Sequence, residues 1–297
     1  MKTEHYDATR DISYSHSAKT MAGKAFIKLI ENATGRLGLI KRAQGYSKEI
    51  GSGHNFWKVI VARFGLSLDI RTGSLQNIPS NGPLIIIANH PYGILDGMML
   101  SYILAVTRVD FRILANHVFL KSEDLNKVIL PISFDSSKEA VQINVGTRQK
   151  ALSFLDQGGA IGIFPGGTVS TAPTPFSQPL DPSWRSFTAK MISKSKATVI
   201  PIYFEGHTSR LFQIASHLNH TLRVSLLIKE FKNQIDQPVS LSIGKPINSE
   251  DIKVHAHNPR NLMKFLRVKT YELSKKPVDP EKYGFEFEET HRQKIKN

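Results

Sequence analysis

The chain of 297 residues is 40% hydrophobic and 22% charged, enough for one large domain or two modest ones with a real core. Its net charge of +14 favours polyanionic partners, an anionic lipid surface or an acidic carrier before nucleic acid, because the basic residues are dispersed and no nucleic-acid-binding signature accompanies them. The absence of cysteine excludes disulfides, thiolate nucleophiles and cysteine-held metals, and no apolar run reaches the roughly 18 residues of a membrane-spanning helix.

Residues 1–18 are polar and expected to be loose, and Met1-Lys2-Thr3-Glu4-His5 offers no apolar signal-peptide core. From Lys19 to Glu49, seven basic side chains stand against Glu31 and Glu49, interleaved with Phe26, Ile27, Leu29, Ile30, Leu37, Leu39 and Ile40. This pattern suits helices lying at a lipid interface, and equally helices packed on a domain. Gly35 and Gly38 are expected to interrupt any single helix. A second apolar-basic stretch runs from Phe56 to Phe64.

Beyond it, short apolar runs alternate with helical patterns. Strands are expected at Leu84–Ala88, Phe111–Leu114, Val128–Pro131, Ala160–Phe164, Val199–Phe204, Leu222–Leu227 and Val239–Ile243. Helices are expected at Gly97–Val106, Lys138–Leu155, Ser186–Lys194 and Pro259–Leu273. The alternation predicts an α/β fold, a largely parallel sheet flanked by helices and preceded by an amphipathic helical segment. The expected division is a membrane-associating helical segment over residues 1–60, a main domain over 61–275 and a charged, peripheral tail over 276–297. The Pro/Ser/Thr-rich stretch Ser170–Pro182 reads as a functional loop.

Three strand ends carry chemistry. The buried run Ile85-Ile86-Ile87-Ala88 breaks at Asn89-His90, and Asp96 follows a Pro/Gly turn through Pro91 and Gly93. That turn can bring a general base and an orienting carboxylate together. The plainer alternatives are a hydrogen-bonded histidine at a strand end and an aspartate capping the following helix. The second element, Phe164-Pro165-Gly166-Gly167-Thr168-Val169-Ser170, is a turn whose backbone N–H groups can cradle an oxyanion, although Pro-Gly-Gly is first of all a turn signal. The third, Val199-Ile200-Pro201-Ile202-Tyr203-Phe204-Glu205-Gly206, reads as a core strand.

In this order, across roughly residues 60–250, the three elements resemble the glycerolipid (lysophospholipid) acyltransferase family. Gly206-His207-Thr208-Ser209-Arg210-Leu211-Phe212 and Ser242-Ile243-Gly244-Lys245-Pro246-Ile247 are similar to a bacterial branch described as hemolysin-like or aminolipid acyltransferases. The resemblance implies transfer of a fatty acyl group from acyl-CoA or acyl carrier protein to the hydroxyl of a lyso-lipid. His90 would be the general base and Asp96 its orienting partner. Asn89, Gly93, Phe164, Pro165, Gly166, Gly167, Thr168 and Ser170 would line the substrate site, with the N–H groups of Gly166, Gly167 and Thr168 at the thioester oxyanion. It calls for no cofactor and no metal, and His217 and His220 are too isolated to suggest zinc. It further implies a peripheral or monotopic protein on an anionic surface, the cytoplasmic face of a bacterial inner membrane, and no nucleic-acid partner.

Two departures bear on the acceptor. Five residues, Pro91 to Leu95, separate His90 from Asp96 where the usual pattern has four, a spacing shared by the hemolysin-like branch. The common Phe-Pro-Glu-Gly-Thr-Arg-Ser motif has Gly166 and Val169 here in place of its glutamate and arginine, and in place of the second-motif arginine the region Pro131–Lys138 offers only Lys138. A phosphate monoester is best gripped by an arginine fork. A phosphate-bearing acceptor is therefore disfavoured against a lyso-aminolipid of the lyso-ornithine type. Lys138, Arg148, Arg185 and Arg210 are the expected contacts for an anionic headgroup or the carrier's phosphopantetheine; the plainer and favoured reading of each is a solvated surface charge. Lys150 is a further cation of the same kind.

Overall fold

The computed structural model describes residues 12–18, 20–116, 123–133 and 138–286. Expectations for residues 1–11, for Phe134–Ser137 of the second-motif region and for 287–297 of the tail lie outside them.

Four helices open the described chain: α1 Met21–Thr34, α2 Arg36–Ala43, α3 Tyr46–Gly51 and α4 Phe56–Arg63. Gly35 breaks the first pair because its φ of 137° belongs to glycine, and a Cβ there would collide with Lys232. Gly38, expected to break a helix as well, sits inside α2. Ile27, Leu39, Ala43, Tyr46 and Trp57 are buried, so these helices pack on the domain with one face. The boundary expected at residue 60 falls within α4.

The rest of the chain runs β1 Ser67–Thr72, β2 Leu84–Ala88, α5 Ile94–Thr107, β3 Phe111–Asn116, α6 Glu123–Asn126, β4 Ile129–Ile132, α7 Lys138–Asp156 and β5 Ala160–Ile163. It continues with α8 Ser186–Lys194, β6 Thr198–Phe204, α9 Arg210–Leu218, α10 His220–Ser225, α11 Leu227–Lys232, β7 Pro238–Ile243, α12 Ser249–Ala256 and α13 Pro259–Tyr271. The seven strands form one sheet in the order β1-β7-β6-β2-β5-β3-β4. Strands β2 to β6 are mutually parallel, while β7 meets β6 antiparallel and pairs in parallel with β1.

The central strand β2 is fully buried, as an apolar run covered on both sheet faces must be. Leu84, Ile86 and Ala88 point to the side of α4 and α5, and Ile85 and Ile87 to the side of α7, α8 and α13. The chain leaves β2 toward β3 but leaves β5 in the opposite direction, toward β6. Right-handed crossovers then put α5 and α8 on opposite faces and open a crevice at the carboxyl ends of β2, β5 and β6. Each of the three sequence motifs ends in that crevice.

The stretch Leu222–Leu227, expected as a strand, is helical. Its alternating pattern imitates a strand, but the Asn219 side chain accepts from the N–H groups of Thr221 and Leu222 and starts α10 instead. The tail is pinned as far as it is described. Gly284 and Phe285 donate backbone hydrogen bonds to Asp181 and Thr171, and the buried Arg267 holds the carbonyls of Pro280 and Lys282. No helix among the described residues is long and apolar enough to cross a membrane.

Candidate active site

His90 stands just past β2 and Asp96 in the first turn of α5. Gly93 joins them with a φ of 86°, and a Cβ there would press on Val169 at 3.0 Å. The Asp96 carboxylate does two things at once. Its Oδ2 accepts the N–H groups of Tyr92 (2.7 Å) and Gly93 (2.9 Å), capping α5, and lies 3.1 Å from His90 Nδ1. The cap and the dyad, alternatives in the sequence, are one arrangement. The ring approaches Oδ2 out of line, so Nδ1 and the buried Oδ1 both lack an aligned partner among the described residues.

Asp96 is fully buried, and desolvation pushes its carboxyl upward while His90 and the two backbone donors pull it back. The carboxylate side of the ring favours the proton on Nδ1 and leaves Nε2 as the basic nitrogen. The His90 side chain keeps 18% of its surface exposed, and its ring stacks on Phe164 with centroids 4.2 Å apart. Burial, reinforced by Asp96, pushes the neighbouring Tyr92 phenol up to about 12, so it stays neutral and does not serve as the base.

The glycine-rich turn is held beside the histidine. Gly167 N–H donates to Phe164 O, Pro165 O accepts from Arg185 N–H, and Ser170 N–H donates to His90 O at 2.8 Å. Of the three expected oxyanion donors, the Gly167 N–H is thus committed to its own turn. Asn89 forms a two-way bridge to the backbone of Phe204, tying β2 to the end of β6, and it is buried away from any substrate.

An apolar cavity of ≈ 470 Å³ begins at this point, within the range of lipid and ligand pockets. His90, Gly93, Phe164, Gly167 and Thr168 are among its lining residues, together with Ile60 and Met98. Residues of the segment preceding α1 close one wall, Tyr14 among them. The buried Glu31 anchors that segment, accepting from Ser13 Oγ (2.6 Å) and Tyr14 N–H (2.7 Å), and Arg36 donates to Ile12 O.

Of the residues expected at the substrate, Asn89, Pro165, Gly166 and Ser170 support the walls rather than line the cavity. Gly166 packs against Asp181, and the Ser170 hydroxyl is held by Asp181 Oδ1. The four expected headgroup cations do not line it either. Lys138 and Arg148 lie on α7, Arg185 pairs with Glu286, and Arg210 donates to Pro175 O and Ser177 O. His217 meets Ala172 O and the Phe285 ring, and no cluster of metal-ligating side chains occurs among the described residues.

Two residues escaped the sequence reading. Asp181 is fully buried and accepts from His90 N–H, Ser170 Oγ and Trp184 Nε1. It is the only acidic residue between Asp156 and Glu205, a signal visible in the chain. Arg223 of α10, 5% exposed, reaches the glycine-rich turn and lines the same cavity. Its assignment to a strand concealed it.

Comparison with known proteins places the chain in a family. The chain is 27% identical over 190 residues to a lyso-glycine lipid O-acyltransferase of Phocaeicola vulgatus, covering 61% of this chain and 65% of that protein. It is 25% identical over 192 residues to a lyso-glycine lipid O-acyltransferase of Bacteroides thetaiotaomicron, covering 61% and 67%. The chain thus spans about two thirds of the length of the curated relatives it matches. Among solved structures it is similar to the 1-acyl-sn-glycerophosphate (LPA) acyltransferase PlsC of Thermotoga maritima, with 17% identity, a TM-score of 0.42 and coverage of 88% of this chain and 87% of that one. A family model described as Acyltransferase matches residues 53–280, a span that contains the whole sheet, the His90–Asp96 pair and the glycine-rich turn, and the chain belongs to that acyltransferase family.

Proposed function

We propose that the protein is an O-acyltransferase that moves a fatty acyl group from an acyl thioester to the hydroxyl of a lyso-lipid. The observation that carries this reading is His90, 3.1 Å from a buried carboxylate and lining an apolar cavity. A lipid hydroxyl is a weak nucleophile at neutral pH, so a base must take its proton as it attacks. His90 Nε2 takes that proton and Asp96 stabilises the resulting imidazolium. The oxygen attacks the thioester carbonyl, the tetrahedral oxyanion collapses, the C–S bond breaks, and the thiolate recovers the proton from His90. Such a positioned base contributes roughly 10²–10⁴-fold. The apolar cavity beside His90 suits a fatty chain, and a dry wall around the dyad strengthens its electrostatics.

The acceptor we favour is a lyso-aminolipid. Gly166 and Val169 leave the glycine-rich turn without the glutamate and arginine of the common motif, and the two relatives are named for lyso-glycine lipids. Within that class the relatives' names favour a glycine headgroup over ornithine. The donor is an acyl-CoA or an acyl carrier protein. The position we favour is peripheral, on an anionic membrane at its cytoplasmic face, and the exposed faces of α1 and α2 support the membrane contact. Met21, Leu29 and Leu37 are exposed there among Lys24, Lys28 and Lys41. Purified protein incubated with labelled acyl-CoA or acyl carrier protein and a panel of lyso-lipids tests the reading. Labelled diacyl aminolipid is the expected product, and a protein that binds lipid but transfers nothing with either donor refutes it.

A further inference from the structure

Where the common motif carries an arginine inside the glycine-rich turn, this chain has Val169, and a different element brings a guanidinium to the same turn. Arg223 Nη2 donates to Thr168 Oγ1 (3.2 Å) and Val169 O (3.0 Å). Its Nη1 donates to Thr171 Oγ1 (2.8 Å) and Ser216 Oγ (2.6 Å), and the group lies over the Phe212 ring, 4.8 Å from its centroid. Thr171 in turn donates to Val169 O, so the turn is clamped from both sides of one carbonyl. Arg223 and Thr168 also line the cavity that contains His90.

The direction of these bonds matters. A hydroxyl whose oxygen accepts from a cation must donate its own hydrogen elsewhere, and it donates more strongly for being polarised. Thr168 lines the cavity, where a bound thioester would offer that acceptor.

We propose that Arg223 is a positioning residue that fixes the Thr168 hydroxyl as a donor to the thioester oxyanion. No proton is transferred in this step; Thr168 donates a hydrogen bond to charge that develops on the carbonyl oxygen and withdraws it when the thiolate leaves. Such a preorganised donor is worth roughly 10²–10³-fold in rate. The inference rests on the acyltransferase reading above.

The test is steady-state kinetics of the full chain with an acyl thioester and a lyso-aminolipid, for T168V, T168S, R223Q, R223K and the double variant T168V/R223Q. T168V should lower kcat by about 10²-fold with KM within a few-fold, and T168S should recover most of the loss. R223Q should lower kcat in the same way, R223K less so, and the double variant should be no slower than the slower single one. A T168V enzyme with wild-type kcat overturns the proposal, as do single effects that multiply in the double variant. If R223Q does not fold, T168V against T168S decides. A wild-type protein that transfers no acyl group overturns the underlying reading, and this inference falls with it.

Discussion

Asp181 Oδ1 accepts the backbone N–H of His90 at 3.1 Å, across 91 residues of sequence. The same carboxylate holds Ser170 Oγ and Trp184 Nε1, so one buried side chain fixes the base, the glycine-rich turn and the entry to α8 together. Replacing it by alanine strands three buried donors at once. At about 1–3 kcal/mol for each unsatisfied group, partly relieved by water, D181A should destabilise the fold by on the order of 2–4 kcal/mol. Urea unfolding of wild type and D181A measures this. An unchanged midpoint would remove Asp181 from the account.

Gly97 lines the cavity, and a Cβ built there meets nothing within 4 Å. It lies within α5, so G97A should stabilise the helix by about 0.5–1 kcal/mol. A larger side chain narrows the cavity proposed here to take the acyl chain. G97L should therefore shift donor preference toward shorter chains, read by comparing kcat/KM across an acyl-CoA length series. An identical profile for wild type and G97L would place the acyl chain elsewhere.

The buried Asp96 carboxyl is raised above its ordinary 3.8, mainly by desolvation. A carboxyl raised on folding binds more protons in the native state than in the unfolded one between the two values. Stability from this group is thus greatest below about 3.8 and falls as pH rises toward the native value. D96N removes that contribution and can still accept the cap bonds of Tyr92 and Gly93. Unfolding free energy measured from pH 4 upward should fall less steeply for D96N than for wild type, while acyl transfer by D96N drops by orders of magnitude. Parallel stability curves would contradict the assigned direction.

Leu29 on α1 is 66% exposed beside Lys28, and Leu37 on α2 is 60% exposed. If this face meets the membrane, L29E/L37E should cosediment several-fold less with anionic vesicles than wild type. Binding of the wild type should weaken with added salt and be absent on neutral vesicles. Equal sedimentation of the two proteins would move the membrane contact to another surface.

Much of this was legible in the chain. The run Leu84–Ala88 reads as a strand buried on both faces, and the turn through Pro91 and Gly93 made a meeting of His90 and Asp96 one of the readings open in the sequence. The edge strand β1 was not seen, although Leu68 and Ile70 alternate with Ser67, Asp69 and Arg71, because two apolar residues in a run with no fully buried position give a weak signal. Arg223 was hidden by a period-two stretch that a cap at Asn219 turns into helix. Asp181 gave only the weak signal of a lone acid in a long loop. Its partners, His90 N–H and Trp184 Nε1, are set by tertiary packing, which no local pattern encodes. The cationic contacts expected at a headgroup failed to converge for the same reason. Charge is visible in sequence, but its direction is not.

The central claim is that His90 is the base of an acyl transfer. Its ring is partly exposed and stacked on Phe164, so H90A should fold with a Tm close to wild type. The direct measurement is turnover of a labelled acyl thioester onto a lyso-aminolipid by purified H90A and wild type at neutral pH. The account predicts a loss of about 10²–10⁴-fold in kcat for a folded H90A protein; wild-type turnover by that protein would contradict it.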